Sequence, residues 1–140
     1  MTTITTAQVT SSAPPSAFFA QWADMDTWPE WNTDTEWVRR DGPFATGTKG
    51  QLKPKGGPKV RFVLESVVPE RDFVDVSLLL GARLTFRHTV TALPECGCRV
   101  DVEVTLEGPL APVWNLLLGK GFRASAQPDL DRLAAVCEGR

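Results

Sequence analysis

The sequence predicts an α+β fold: a seven-stranded antiparallel sheet wrapped around a long C-terminal helix, with two short helices after the first strand. Three observations carry this reading. Between Thr35 and Leu106, apolar and polar residues alternate with period two over successive segments. After Gly108-Pro109 the apolar period becomes helical and stays so to Cys137. Before Thr35, a short apolar stripe at helical spacing follows one extended segment.

The elements follow in order. Ile4 to Val9 reads as the first strand. Pro14 and Pro15 suit a helix start, because proline tolerates the first turn. Phe18, Phe19, Trp22 and Met25 then fall on one helical stripe. Asp26-Thr27 can cap a second short turn restrained by Pro29. Thr35 to Arg40 and Thr48 to Lys53 read as strands. Val60, Phe62 and Leu64 begin the alternating series, followed by Val74, Val76 and Leu78, then Leu84, Phe86, His88 and Val90. Val100, Val102, Val104 and Leu106 close it, with Arg99, Asp101, Glu103 and Thr105 on the other parity. Such alternation belongs to antiparallel sheets with one wet face. Pro69-Glu70-Arg71, Gly81-Ala82 and Pro94 to Gly97 supply hairpin turns. In the last segment Leu110, Val113, Trp114, Leu117 and Leu118 are read as one helix face, continued by Phe122, Leu130, Leu133, Val136 and Cys137. Pro128 lies inside this pattern and is expected to kink or divide the helix. Shared parity sends Phe62, Leu64, Val76, Leu78, Leu84, Phe86, Val102 and Val104 toward the helix.

With 140 residues, the chain is read as one domain spanning 1–140. Net charge is −2 with both signs interspersed, so nothing attracts nucleic acid. Lys49, Lys53, Lys55 and Lys59 sit among glycines and prolines and read as a solvated hairpin tip. No apolar run reaches the ~20 residues of a membrane span. Three cysteines and the lack of a secretion signal point to a reducing, cytoplasmic setting without structural disulfides. Cys96-Gly97-Cys98 lacks the second ligand pair that a tetrahedral zinc site needs, so neither metal nor cofactor is expected.

Trp28-Pro29-Glu30-Trp31-Asn32, followed by Gly42-Pro43-Phe44-Ala45-Thr46-Gly47-Thr48, resembles the opening of the polyketide cyclase/dehydrase branch of the START-like SRPBCC superfamily. Leu84 to Val90 and Gly108-Pro109-Leu110 are familiar there too. The resemblance spans essentially the whole chain. It implies the helix-grip fold, a sheet gripping the last helix around a ligand cavity, and that fold serves carriers, receptors and enzymes alike.

Candidate site residues follow from parity and residue type. His88, the sole histidine, shares parity with Leu84, Phe86 and Val90, and is read as the polar anchor or acid-base group of an apolar pocket. Phe86, Trp114, Phe122 and Trp37 are the aromatic candidates for ligand contact. Trp28 and Trp31 are read as a plug at one end. Asp75 and Glu65 are placed on the polar face, without pairing to His88. The chain holds no tyrosine, and the inferred pocket offers one titratable group where carbonyl chemistry needs a donor, a base and an oxyanion stabiliser. The expected function is therefore binding or carriage of a small hydrophobic molecule, lipid-like or aromatic, without strong turnover. One alternative is a polyketide cyclase, aromatase or dehydratase using His88; another is an interaction protein with a filled interior. A homodimer is left open.

Overall fold

A computed structural model describes residues 1–139. Strand β1 (Thr2–Ser11) leads to helix α1 (Pro15–Ala23) and a short 3-10 turn, Met25–Glu30. Strands β2 (Thr35–Arg40), β3 (Lys49–Pro54), β4 (Val60–Val68), β5 (Asp72–Leu79), β6 (Ala82–Ala92) and β7 (Cys98–Glu107) follow, then helix α2 (Ala111–Cys137). The sheet order is β1-β7-β6-β5-β4-β3-β2, with every pair antiparallel. Consecutive strands from β2 to β7 are neighbours. Only the first strand crosses over, and α1 and the 3-10 turn provide that crossover. The helix-grip expectation is met. Pro128 does not divide α2, which runs unbroken through it.

Cross-strand register identifies the inner face. Phe62 pairs with Ser77, Ser77 with Leu84, and Leu84 with Leu106. One step along, Leu64 pairs with Asp75, Asp75 with Phe86, and Phe86 with Val104. Directly opposite residues share a face, so Phe62, Leu64, Asp75, Ser77, Leu84, Phe86, Val104 and Leu106 look toward α2. A bulge between Leu64 and Ser66 lets Val67 rejoin this face opposite Phe73. Gly50 lies opposite Phe62, and a Cβ there would overlap both the Phe62 ring and the Arg39 carbonyl. Glycine at that point lets Phe62 lie flat across β3.

Strand β5 departs from the sequence reading. Val76 pairs with Val63 and Thr85, and Leu78 with Arg61 and Arg83. These two side chains therefore occupy the outer face, while Phe73, Asp75 and Ser77 turn inward. Val76 is nonetheless fully buried, and Leu78 is half exposed. The reason is that hydrophobicity favours Val74, Val76 and Leu78 over a parity that carries Asp75 and Ser77, and the packing of Phe73 overrides it. Helix α2 is corrected in the same way. Trp114, Leu118 and Phe122 pack inward, whereas Val113, Leu116 and Leu117 are exposed.

The inner face holds two packed clusters. The larger gathers Phe18 and Trp22 of α1, Met25 and Trp28 of the 3-10 turn, Trp31, sheet residues from Phe62 to Val100, and Leu130, Leu133 and Ala134 of α2. The smaller joins Ile4, Leu84, Val104, Leu106 and Ala111, with Phe86, Trp114, Leu118 and Phe122 against it. Helix α2 also shields the open edge of β1. The Gln8 amide donates to Gln127 Oε1 at 3.1 Å, Gln127 Nε2 donates to the Gln8 carbonyl at 2.9 Å, and Arg123 Nε donates to the Ile4 carbonyl at 3.2 Å. These side chains occupy edge positions that would otherwise be free to template another strand. Gln127→Ala is expected to cost about 1 kcal/mol and to speed hydrogen exchange at the Gln8 amide. Unchanged exchange would show that the clamp does not hold the edge.

Candidate functional site

The inward parity of β5 and β6 brings two polar side chains together in the middle of the sheet. Phe73 lies opposite His88, and Asp75 opposite Phe86. The His88 imidazole stacks flat on the Phe73 ring, with centroids 3.9 Å apart and planes 4° from parallel. Trp22 sits over both rings, its centroid 5.5 Å from His88 and 5.1 Å from Phe73. Phe44 meets Phe73 edge-on at 5.2 Å. His88 Nδ1 is 3.4 Å from the Phe73 carbonyl and 3.7 Å from Asp75 Oδ1. The first is a long hydrogen bond; the second is beyond hydrogen-bond reach.

Both groups are buried, and burial sets their protonation. Desolvation lifts the Asp75 carboxyl to about 7, partly offset by a hydrogen bond from its own backbone amide. Desolvation lowers His88 to about 3, partly offset by the Phe73 carbonyl. In mildly acid solution the two are a neutral carboxylic acid beside a neutral imidazole, not an ion pair. Asp75 Oδ1 has no hydrogen-bond partner, nor do the indole nitrogens of Trp22 and Trp31. Sequence parity hid this pairing: it placed Asp75 on the polar face, and β5 is reversed. Glu65 is exposed and faces Arg83 at 3.6 Å.

The other candidates divide. Phe86, Trp114 and Phe122 meet in the smaller cluster, with Phe86 and Phe122 edge-to-face at 5.5 Å. Trp114 Nε1 donates to the Leu80 carbonyl at 2.8 Å, tying the start of α2 to the β5–β6 turn. All three aromatics point inward yet stay only partly buried. Trp37 is elsewhere. It pairs with Lys53 on the outer face, where the Arg39 guanidinium lies 4.5 Å from its ring. Trp28 and Trp31 are both buried in the larger cluster with centroids 5.5 Å apart, and Trp28 Nε1 donates to the Trp22 carbonyl. Two hollows open on the surface. One, about 610 Å³, is framed by Thr6, Gln8, Arg87, Asp101 and Gln127; the other, about 520 Å³, lies at the β5–β6 turn beside Gly108. Neither lies between the sheet and α2.

Among the described residues, no group of three or more His, Cys, Asp or Glu could hold a metal ion, and no helix is long and apolar enough to cross a membrane. All three cysteines are free, and Cys98 Sγ donates to the Ala13 carbonyl.

A family model described as "Polyketide cyclase / dehydrase and lipid transport" matches residues 2–138. No curated protein matches the chain. Among solved structures, one similar in fold is the di-domain ARO/CYC StfQ from the steffimycin biosynthetic pathway, with 14% identity and a TM-score of 0.73, covering 99% of this chain and 52% of StfQ. Ara h 8.0201 shares 15% identity at a TM-score of 0.72, covering 97% of each chain. Truncated norcoclaurine synthase from Thalictrum flavum shares 11% at 0.70, covering 97% of this chain and 95% of that one. At these identities the likeness establishes the fold alone.

The buried acid and imidazole act oppositely on stability. Asp75 binds its proton more tightly folded than unfolded, so its contribution is present at acid pH and is lost as pH rises from about 3.8 to about 7. His88 binds its proton more weakly when folded, so its contribution grows as pH rises from about 3 to 6.5. In the parent chain the limbs oppose each other. Relative to it, Asp75→Asn should gain stability as pH rises from about 4 to 7, and His88→Phe should lose stability from about pH 3 to 6.5. Each change should reach a few kcal/mol, at about 1.4 kcal/mol per pKa unit. Denaturant unfolding across this range checks it; curves that stay parallel to the parent would contradict the neutral pair.

Proposed function

The chain belongs to the polyketide cyclase/dehydrase and lipid-transport family, and from that premise we propose that it binds a small hydrophobic molecule against the inner face of the sheet, beneath the N-terminal half of α2. One observation carries the reading: Phe86, Trp114 and Phe122 turn inward from β6 and α2 yet remain only partly buried. Large aromatic side chains that face a core and still meet solvent form a surface that an apolar ligand would cover. The other half of the inner face is closed by Trp22, Trp28 and Phe73 and offers no such surface. Free cysteines support a reducing compartment, in keeping with a cytoplasmic carrier.

A second reading, a cyclase or dehydratase, gains support from Asp75. Beside His88 it adds a second titratable group to a site that sequence parity had left with one. Acid-base catalysis works best with a group poised near the operating pH, and Asp75 is the group so placed. Turnover of a polyketide-like substrate that is lost in His88→Ala or Asp75→Asn, with the fold intact, would promote this reading over carriage.

Titration with N-phenyl-1-naphthylamine, whose fluorescence rises in apolar surroundings, tests the binding reading. The parent chain should bind it, and Phe122→Ala should weaken binding roughly tenfold through lost apolar contact. Leu116→Ala, on the exposed face of α2, should leave it unchanged. Failure of the parent to bind any apolar probe would favour the filled-interior alternative.

A further inference from the structure

The inner face contains two under-satisfied polar atoms side by side. Asp75 Oδ1 is buried with no partner. His88 Nδ1, 3.7 Å away, makes only a 3.4 Å contact to the Phe73 carbonyl. Asp75 is 3% exposed and His88 8%. A buried carboxyl oxygen without a partner costs about 1–3 kcal/mol, and native interiors rarely leave one so. Both atoms are close enough for a single oxygen to lie within hydrogen-bond reach of each.

The position of this pair is as informative as its chemistry. Asp75 is the direct cross-strand neighbour of Phe86, and Phe86 is the partly exposed aromatic that meets Phe122 beneath α2. Opposed residues on adjacent strands stand about 5 Å apart. A ligand laid on Phe86 is therefore beside Asp75. The rings of Trp22 and Phe73 pack against the His88 imidazole, which leaves the Phe86 side for approach.

We propose that Asp75, with His88, is the polar anchor of this site, and that the ligand is an aromatic molecule bearing a hydroxyl group. The hydroxyl oxygen accepts from His88 Nδ1–H and donates its own proton to Asp75 Oδ1. At pH 8, above its midpoint of about 7, Asp75 is ionised and only accepts: a hydroxyl then performs both roles through one atom, a hydrocarbon performs neither, and an ether or carbonyl oxygen cannot supply the proton. The flat remainder of the molecule lies on Phe86 and Phe122. Asp75 here sets specificity through direct contact with ligand. The inference rests on the binding site proposed above and adds the chemical class that the site selects.

The test compares 2-naphthol with 2-methylnaphthalene, two flat probes of nearly equal size, by calorimetric or fluorescence titration at pH 8. The parent chain should prefer the naphthol roughly five- to tenfold, the scale of one satisfied hydrogen bond in an apolar site. Asp75→Leu should abolish the preference while keeping 2-methylnaphthalene affinity within about twofold. Asp75→Asn keeps the shape and an acceptor oxygen and should retain part of the preference; it also keeps the comparison decisive if the leucine variant unfolds. Equal naphthol preference in the parent chain and both variants would overturn the assignment and leave a buried water as the partner of Oδ1. If neither probe binds the parent chain, or Phe122→Ala leaves both affinities untouched, the site itself is elsewhere and the inference falls with it.

Discussion

The face-to-face contact of His88 on Phe73 is the interaction on which the rest of this inner face depends. It joins β5 to β6 at one pairing, Phe73 opposite His88. Everything else on β5 follows from that pairing. A slip of one residue would turn Phe73 and Asp75 outward and bring Val74 and Val76 in. By hydrophobicity that alternative looks acceptable, since two valines would face the helix and an aspartate would turn away from it. What opposes it is the size of the ring and the number of rings around it. Trp22, Trp28 and Phe44 all pack within about 6.2 Å of Phe73, centroid to centroid. Burying an aromatic side chain is worth more than burying a valine. The register that seats Phe73 also draws Asp75 into the interior.

The consequence is an inner face with two halves of different character. Toward the C-terminal half of α2, aromatic side chains from α1 and the 3-10 turn fill the space between helix and sheet. Toward the N-terminal half, Trp114, Leu118 and Phe122 cover the sheet incompletely, and Phe86 is left partly exposed. Asp75 and His88 sit at the boundary. Their neutrality comes from the packed half, which excludes water. The unpartnered oxygen of Asp75 lies next to the open half, where the proposed ligand would approach. One strand register thus links the core to the proposed site.

Much of this architecture was legible in the sequence, for a plain reason. Strand β7 alternates cleanly between apolar and polar residues, and the change to helical period after Gly108-Pro109 is abrupt. Those two signals suffice for a sheet gripping a terminal helix. The inward direction of Phe86, His88, Trp114 and Phe122 was also readable from their periods. Strand β5 was not readable, because Val74, Val76 and Leu78 form the more apolar parity and only the long-range packing of Phe73 turns the other one inward. The lost signal mattered, since it hid Asp75. A hint was present: Phe73 shares parity with Asp75, and Phe73 is larger than any valine on the other side. The face of Trp37 was not readable for a related reason. A register shift between Thr35 and Trp37 sets its face, and no local pattern marks a bulge. On α2, Val113 and Leu117 look like core residues by spacing, but the stripe that packs runs through Trp114, Leu118 and Phe122.

The central claim is that the register centred on Phe73 buries Asp75 as a neutral acid beside a neutral His88. The most direct measurement is a pH titration of the Asp75 side-chain carboxyl carbon by NMR, in protein labelled with 13C at aspartate and assigned with Asp75→Asn. The account predicts a midpoint near 7 for this one carboxyl, with the His88 ring nitrogens remaining those of a neutral imidazole at pH 5. A midpoint near the ordinary aspartate value, or an imidazolium at pH 5, would contradict it and show that Asp75 faces water or forms an ion pair.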